Sequence, residues 1–175
     1  MESVIQMLDG EYVDLLNPDF SKTEIKSIAW ALSNICRFNG HTKQFYSVAQ
    51  HCVLSSFLVP EHLAYDALMH DSAEAIIGDV ASPLKHLLPD YKAIETRIEI
   101  ALFKTFNVKY PLPPEIKTAD LMMLKAEREL LMPDTGDEWQ VLKDVQMNSI
   151  LRVSEVWDQK RSYERFMNRF NELEK

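Results

Sequence analysis

The chain has 175 residues, with 46% apolar and 26% charged side chains and a formal net charge of −8. That composition is ordinary for a soluble globular protein, and the length suffices for one domain, residues 1–175, burying about 70% of its unfolded surface without disulfides or a structural metal. The charge opposes broad attraction to nucleic acid or to an anionic membrane, so an anionic small substrate would need positive charge supplied locally. Only four glycines argue against a sandwich or barrel with many tight turns.

In chain order, residues 1–20 read as an irregular or short-stranded lead closed by the turn Asn17-Pro18-Asp19. Ser21-Lys22-Thr23-Glu24 has the form of a capping box, and Ile25, Ile28, Ala29, Leu32 and Ile35 follow with the spacing of a buried helix face, ended by Phe38-Asn39-Gly40. Ser47-Val48-Ala49-Gln50 is a second box, opening a helix with His51, Cys52 and Leu54. Pro60 starts a third helix, Ala64-Tyr65-Asp66-Ala67-Leu68-Met69, that runs into His70-Asp71, and Gly78 closes the next short one. Ser82-Pro83 restarts a brief segment, and Pro89-Asp90 opens a long helix carrying Ile94, Ile98, Ala101, Leu102 and Phe106. After the extended Tyr110–Pro114 comes a helix with Ile116, Ala119, Leu121, Met123 and Leu124, stopped at Met132-Pro133. A short helix is expected around Trp139–Lys143, and a last one from about Asn148 to Leu173 with Ile150, Val153, Trp157, Phe166, Met167 and Phe170 inward. The predicted class is all-α, a bundle of six or more helices.

Chemistry concentrates at His70-Asp71, an ionisable pair in an otherwise core-facing helix. Imidazole beside carboxylate is a mixed nitrogen–oxygen donor set suited to divalent zinc, manganese, iron or cobalt, and a buried carboxylate wants a cation. His51, flanked by apolar residues, and Asp120, where its helix turns apolar, can converge on the pair. Glu74 follows His70 by four residues and Asp71 by three, placing all three near one helix face. Such a site would be partly open and would acidify a bound water, with Glu74 handling a proton on that water or on a leaving oxygen. Arg37 offers a planar guanidinium for phosphate, and Phe38 beside it a wall for sugar or base.

Taken singly, each residue has a plainer alternative. His51 could be a hydrogen-bonded core histidine, Asp120 a helix-terminus residue, Asp79 an N-cap, and Arg37 a counter-charge to the end of the first helix. Lys85 and Lys117 could be surface lysines. Cys36 and Cys52 read as small free thiols of a reducing compartment, and no apolar run has signal or membrane-spanning length, so the expectation is a cytoplasmic protein.

The series Arg37-Phe38, Ser47–His51, Met69–Glu74, Gly78-Asp79, Ser82–Lys85 and Lys117–Asp120 resembles the HD-domain metal-dependent phosphohydrolases over about residues 23–132. Within that superfamily the chain is most similar to phage dATP triphosphohydrolases and 5′-deoxynucleotidases. The resemblance implies an all-helical HD domain with His51, His70, Asp71 and Asp120 holding a divalent metal ion (Zn, Co, Mn or Mg) and Glu74 as catalytic acid or base. It also implies Arg37 on phosphate, with Asp79, Lys85 and Lys117 as further site residues. The expected activity is dATP hydrolysis to deoxyadenosine and triphosphate; removal of one phosphate from deoxynucleoside monophosphates is the alternative within the superfamily. Outside catalysis the alternative is an HD-like module that only binds nucleotide. The partners implied are a small-molecule deoxynucleotide and further copies of the chain, as a dimer or hexamer, with no nucleic acid and no membrane.

Overall fold

The computed structural model describes residues 3–146, 153 and 155–174. The lead is a hairpin of β1 (Val4–Gln6) and β2 (Tyr12–Asp14), antiparallel with Ile5 opposite Val13. Its tip does work that the capping box was expected to do. Glu24 precedes α1 (Ile25–Asn34) without any side-chain cap. The Asp9 carboxylate instead accepts the Glu24 amide at 3.1 Å, and the Asp9 amide donates to Ser27 Oγ at 3.0 Å. A carboxylate at this end also complements the helix dipole.

The second box forms by half. Ser47 caps α2 (Val48–Ser55) by accepting the Gln50 amide, but the Gln50 side chain leaves the helix. It donates to the carbonyl of Glu155 and accepts the amide of Trp157, each at 2.8 Å. This ties α2 to the irregular segment ahead of α8 (Gln159–Leu173), which Asp158 caps. The last helix therefore begins later than Asn148: Val153 and residues 155–158 are not helical, and Asn148 and Ile150 lie outside the described residues.

Between them run α3 (Ala64–Met69), α4 (Glu74–Ile77), α5 (Ser82–Lys85), α6 (Pro89–Thr105) and α7 (Pro114–Leu131). The all-α class stands. Helix α8 packs across α1, α2 and α3, burying Phe166 and Phe170 with Ile28, Leu32, Cys52, Leu68 and Phe103. The inward row of α7 is Ile116, Ala119, Met123, Ala126, Glu127 and Leu131, with Leu121 and Leu124 only partly covered. A glutamate thus occupies a position whose spacing belongs to the core. No helix among the described residues is long and apolar enough to cross a membrane.

Candidate metal centre

Helix α2 is buried almost all round, so His51 is fully enclosed. His70 follows the last residue of α3 and is nearly as covered. The chain then tightens: the amides of Ser72, Glu74 and Ala75 bond to the carbonyls three residues back, those of Met69, Asp71 and Ser72. His70, Asp71 and Glu74 therefore do not share a face of one continuous helix. A turn of this tighter kind separates the pair from Glu74, which opens α4.

The two imidazoles are held in one tautomer. His70 Nδ1 lies 2.7 Å from the carbonyl oxygen of Ala67, which can only accept, so Nδ1 carries the proton. His51 Nδ1 lies 2.7 Å from Glu127 Oε1 and donates likewise. In the neutral rings both Nε2 lone pairs then point into the same space, 3.3 Å apart. Asp71 Oδ2 is 3.2 Å from His70 Nε2 and 3.5 Å from His51 Nε2, and Asp120 Oδ1 is 3.3 Å from His51 Nε2. Bonds of about 2.0–2.1 Å to a four-coordinate ion correspond to donor–donor edges of about 3.3–3.4 Å. The four contacts just given have that spacing; His51, His70 and Asp120 lie near enough to one another to hold a metal ion, and Asp71 falls in a second such group with His70 and Cys52. Facing lone pairs and carboxylates repel without a cation between them, so this donor set fits one.

The charges agree. Burial opposes an imidazolium at His70, yet Asp71 beside it holds its pKa well above the ordinary value; at His51 burial and Arg37 are outweighed by Glu127 and Asp120. Asp71 and Asp120 are both lowered in spite of burial, Asp71 by the two histidines, and Asp120 by the same pair with Lys117. Cys52 also approaches His70 and Asp71, but burial pushes its thiol up to about 11, so it stays neutral at ordinary pH.

Glu74 is buried beside this cluster, with Oε2 lacking any hydrogen-bond partner among the described residues. Burial, Asp71 and Asp79 together raise its pKa well above the usual carboxylate range. Lys85 Nζ lies 3.9 Å from Glu74 Oε1 and donates to Glu95 Oε1 at 2.5 Å. Asp79 sits half-buried after Gly78 and is not an N-cap, since Ala81 precedes α5; burial raises its pKa too. Arg37 is buried between α1 and α2. Its Nε donates to Glu127 Oε2 at 2.9 Å and its Nη1 lies 3.8 Å from Asp71 Oδ2, so it turns toward the cluster and not to the end of α1. Phe38 and Asn39 both have positive φ, 55° and 53°. This strained turn sets the Phe38 ring beside the Arg37 guanidinium and 6.2 Å from the Trp139 ring. Lys117 is mostly exposed and pairs with Asp120 Oδ2 at 2.7 Å.

Glu127 and Glu95 join the cluster beyond the residues expected from the sequence. Glu127 carried a legible signal: it follows Asp120 by seven residues, two helical turns, in the inward row of α7. Glu95 had none, being one of several acidic residues on α6.

No protein-family model matches the chain. It is 45% identical over 177 residues to YfdR, an uncharacterized protein of Escherichia coli K12, covering 98% of this chain and 96% of that one. The chain belongs to the YfdR family. An uncharacterized protein of Rhodobacter capsulatus is 34% identical over 124 residues, covering 65% of this chain and 63% of its own. In this YfdR-family chain the donors come from α2, the α3–α4 turn and α7, so the centre depends on packing of segments distant in sequence.

Proposed function

We propose that the chain is an HD-superfamily, divalent-metal-dependent phosphohydrolase acting on deoxynucleotides, with dATP as its substrate and deoxyadenosine and triphosphate as products. The observation that carries this reading is the convergence of two histidine Nε2 atoms with two aspartates, beside a buried glutamate whose pKa is raised well above the usual carboxylate range and a buried arginine. His51, His70, Asp71 and Asp120 would hold the ion, whose contribution is Lewis acidity toward a phosphoryl oxygen.

The chain's own groups do the rest. In the reaction water oxygen bonds to the α-phosphorus, the bond from that phosphorus to O5′ breaks, and O5′ takes a proton. Glu74 is suited to give that proton from Oε2, because burial and the neighbouring Asp71 and Asp79 keep it neutral where an ordinary carboxyl has ionised. It regains one from the attacking water, so no net proton is lost from the protein. Arg37 and Lys85 meet the negative charge of the phosphates in a protein that is acidic overall. Phe38, held by its strained turn, offers an apolar face to sugar or base.

The test is a screen of deoxynucleoside mono- and triphosphates with zinc, cobalt, manganese or magnesium, resolving triphosphate from orthophosphate. Triphosphate and deoxyadenosine from dATP are expected. Orthophosphate released only from monophosphates would replace this reading with a 5′-deoxynucleotidase. Nucleotide binding without turnover by the metal-loaded protein would leave a non-catalytic module.

A further inference from the structure

Glu127 is fully buried, and both of its oxygens are engaged at once. Oε2 accepts from Arg37 Nε at 2.9 Å and Oε1 accepts from His51 Nδ1 at 2.7 Å. These partners lie 90 and 76 residues away along the chain, so one carboxylate spans a cation that faces Asp71 and a ring that faces His70 and Asp120. A buried carboxylate on a helix is costly unless both lone-pair sets are used, and here they are.

We propose that Glu127 is a positioning residue that sets the His51 tautomer, keeping the Nε2 lone pair toward the cluster, and in the same contact fixes the Arg37 side chain. The Arg37 half of this statement rests on the phosphohydrolase reading, and the His51 half does not. The argument is one of donors and acceptors. A guanidinium can only donate, whereas an imidazole can donate or accept at Nδ1. With a carboxylate at position 127 both neighbours donate to it, which puts the His51 proton on Nδ1. An amide of the same shape offers one accepting oxygen and one donating nitrogen. Arg37 cannot adapt, so it takes the oxygen, and the amide NH₂ then faces His51 Nδ1. The ring answers by moving its proton to Nε2, the atom that faces His70, Asp71 and Asp120. Glu127→Gln thus changes no ligand and almost no volume, yet it blocks one donor.

The experiment uses the full chain with ¹⁵N-labelled histidine. Long-range proton–nitrogen spectra of the metal-free protein at alkaline pH report the His51 tautomer, and calorimetric titration with zinc reports affinity. The wild type is expected to show the Nδ1–H form, and Glu127→Gln the Nε2–H form with zinc affinity lower by about 10–100-fold. An Nε2–H form in the wild type overturns the proposal, a result that needs no variant to fold. So does a folded Glu127→Gln protein with wild-type tautomer and zinc affinity. Because neither readout requires turnover, loss of the phosphohydrolase reading would leave the His51 result intact. Wild-type protein that ignores every nucleotide, with the Nδ1–H form in the wild type and the Nε2–H form in Glu127→Gln, would confine the failure to that reading.

Discussion

His51 Nε2 and His70 Nε2 face each other at 3.3 Å while the opposite nitrogen of each ring donates to a fixed acceptor, Glu127 and the Ala67 carbonyl. Neutral rings arranged this way present two lone pairs to one point. His70→Ala and Asp71→Ala are therefore expected to lose stoichiometric binding of zinc or manganese, measured by equilibrium dialysis with elemental analysis, while far-UV circular dichroism stays that of a helical bundle. Undiminished metal stoichiometry in Asp71→Ala would remove that aspartate from the site.

The metal-free protein should weaken as pH rises. His51 and His70 have pKa values raised above the ordinary 6.5, so their stabilisation is complete below 6.5 and is lost as pH climbs through the raised values. Asp71 and Asp120 are lowered from 3.8, so their contribution is present above 3.8 and is lost only as pH falls through the lowered values. By these four groups the chelated protein keeps its stability between about pH 4 and 6.5, while the raised pKa values of Glu74 and Asp79 add a further loss that sets in as pH climbs above their ordinary 4.5 and 3.8. A bound divalent ion takes the place of the protons and should flatten the alkaline loss. Thermal unfolding midpoints across pH, with chelator or with zinc, measure both effects; a chelated midpoint that climbs steadily into alkaline pH would contradict the assignment.

Glu74→Gln should keep the metal and the fold but slow the chemical step by about 10²–10⁴-fold, the usual contribution of a positioned acid or base. In the wild type, kcat should fall as pH rises through the elevated Glu74 pKa, because the acid form is the active one. Stopped-flow or steady-state rates against pH check this, and that falling limb should be absent from the residual activity of Glu74→Gln.

Arg37→Ala removes one partner of a buried pair and leaves Glu127 with an uncompensated oxygen. Breaking such a pair typically costs roughly 3–5 kcal/mol, so urea unfolding should report a large loss. Arg37→Ala with Glu127→Leu removes both charges and should recover part of it, less the cost of the buried His51 Nδ1–H left without its acceptor, whereas binding of inorganic triphosphate should not return.

Gln50→Ala strips the bridge between α2 and the segment ahead of α8. The Trp157 amide is left buried without an acceptor, at a cost of roughly 1–3 kcal/mol. Denaturant melts should show that loss with metal affinity unchanged, since the bridge uses the α2 residue beside His51 and not the imidazole itself.

Helix positions were legible because helical periodicity is local. Pro83, Pro89 and Pro114 near helix starts, Gly78 at a helix end and the apolar rows of α1 and α7 each act over a few residues. The donor types at His51, His70, Asp71 and Asp120 were legible for a related reason: polar groups interrupt apolar runs at those places. Three things were settled only by folding. Asp9 displaced the expected capping box because the hairpin tip reaches the start of α1. Gln50 left its box because the segment ahead of α8 brought it a carbonyl and an amide to pair with. Glu127 gained its place because α7 packs on α2 and Arg37 lies between. Sequence determined which side chains could give electrons to a cation. Which nitrogen of His51 gives them was decided by tertiary packing, since a tautomer depends on the acceptor set against the ring, and that acceptor comes from 76 residues away.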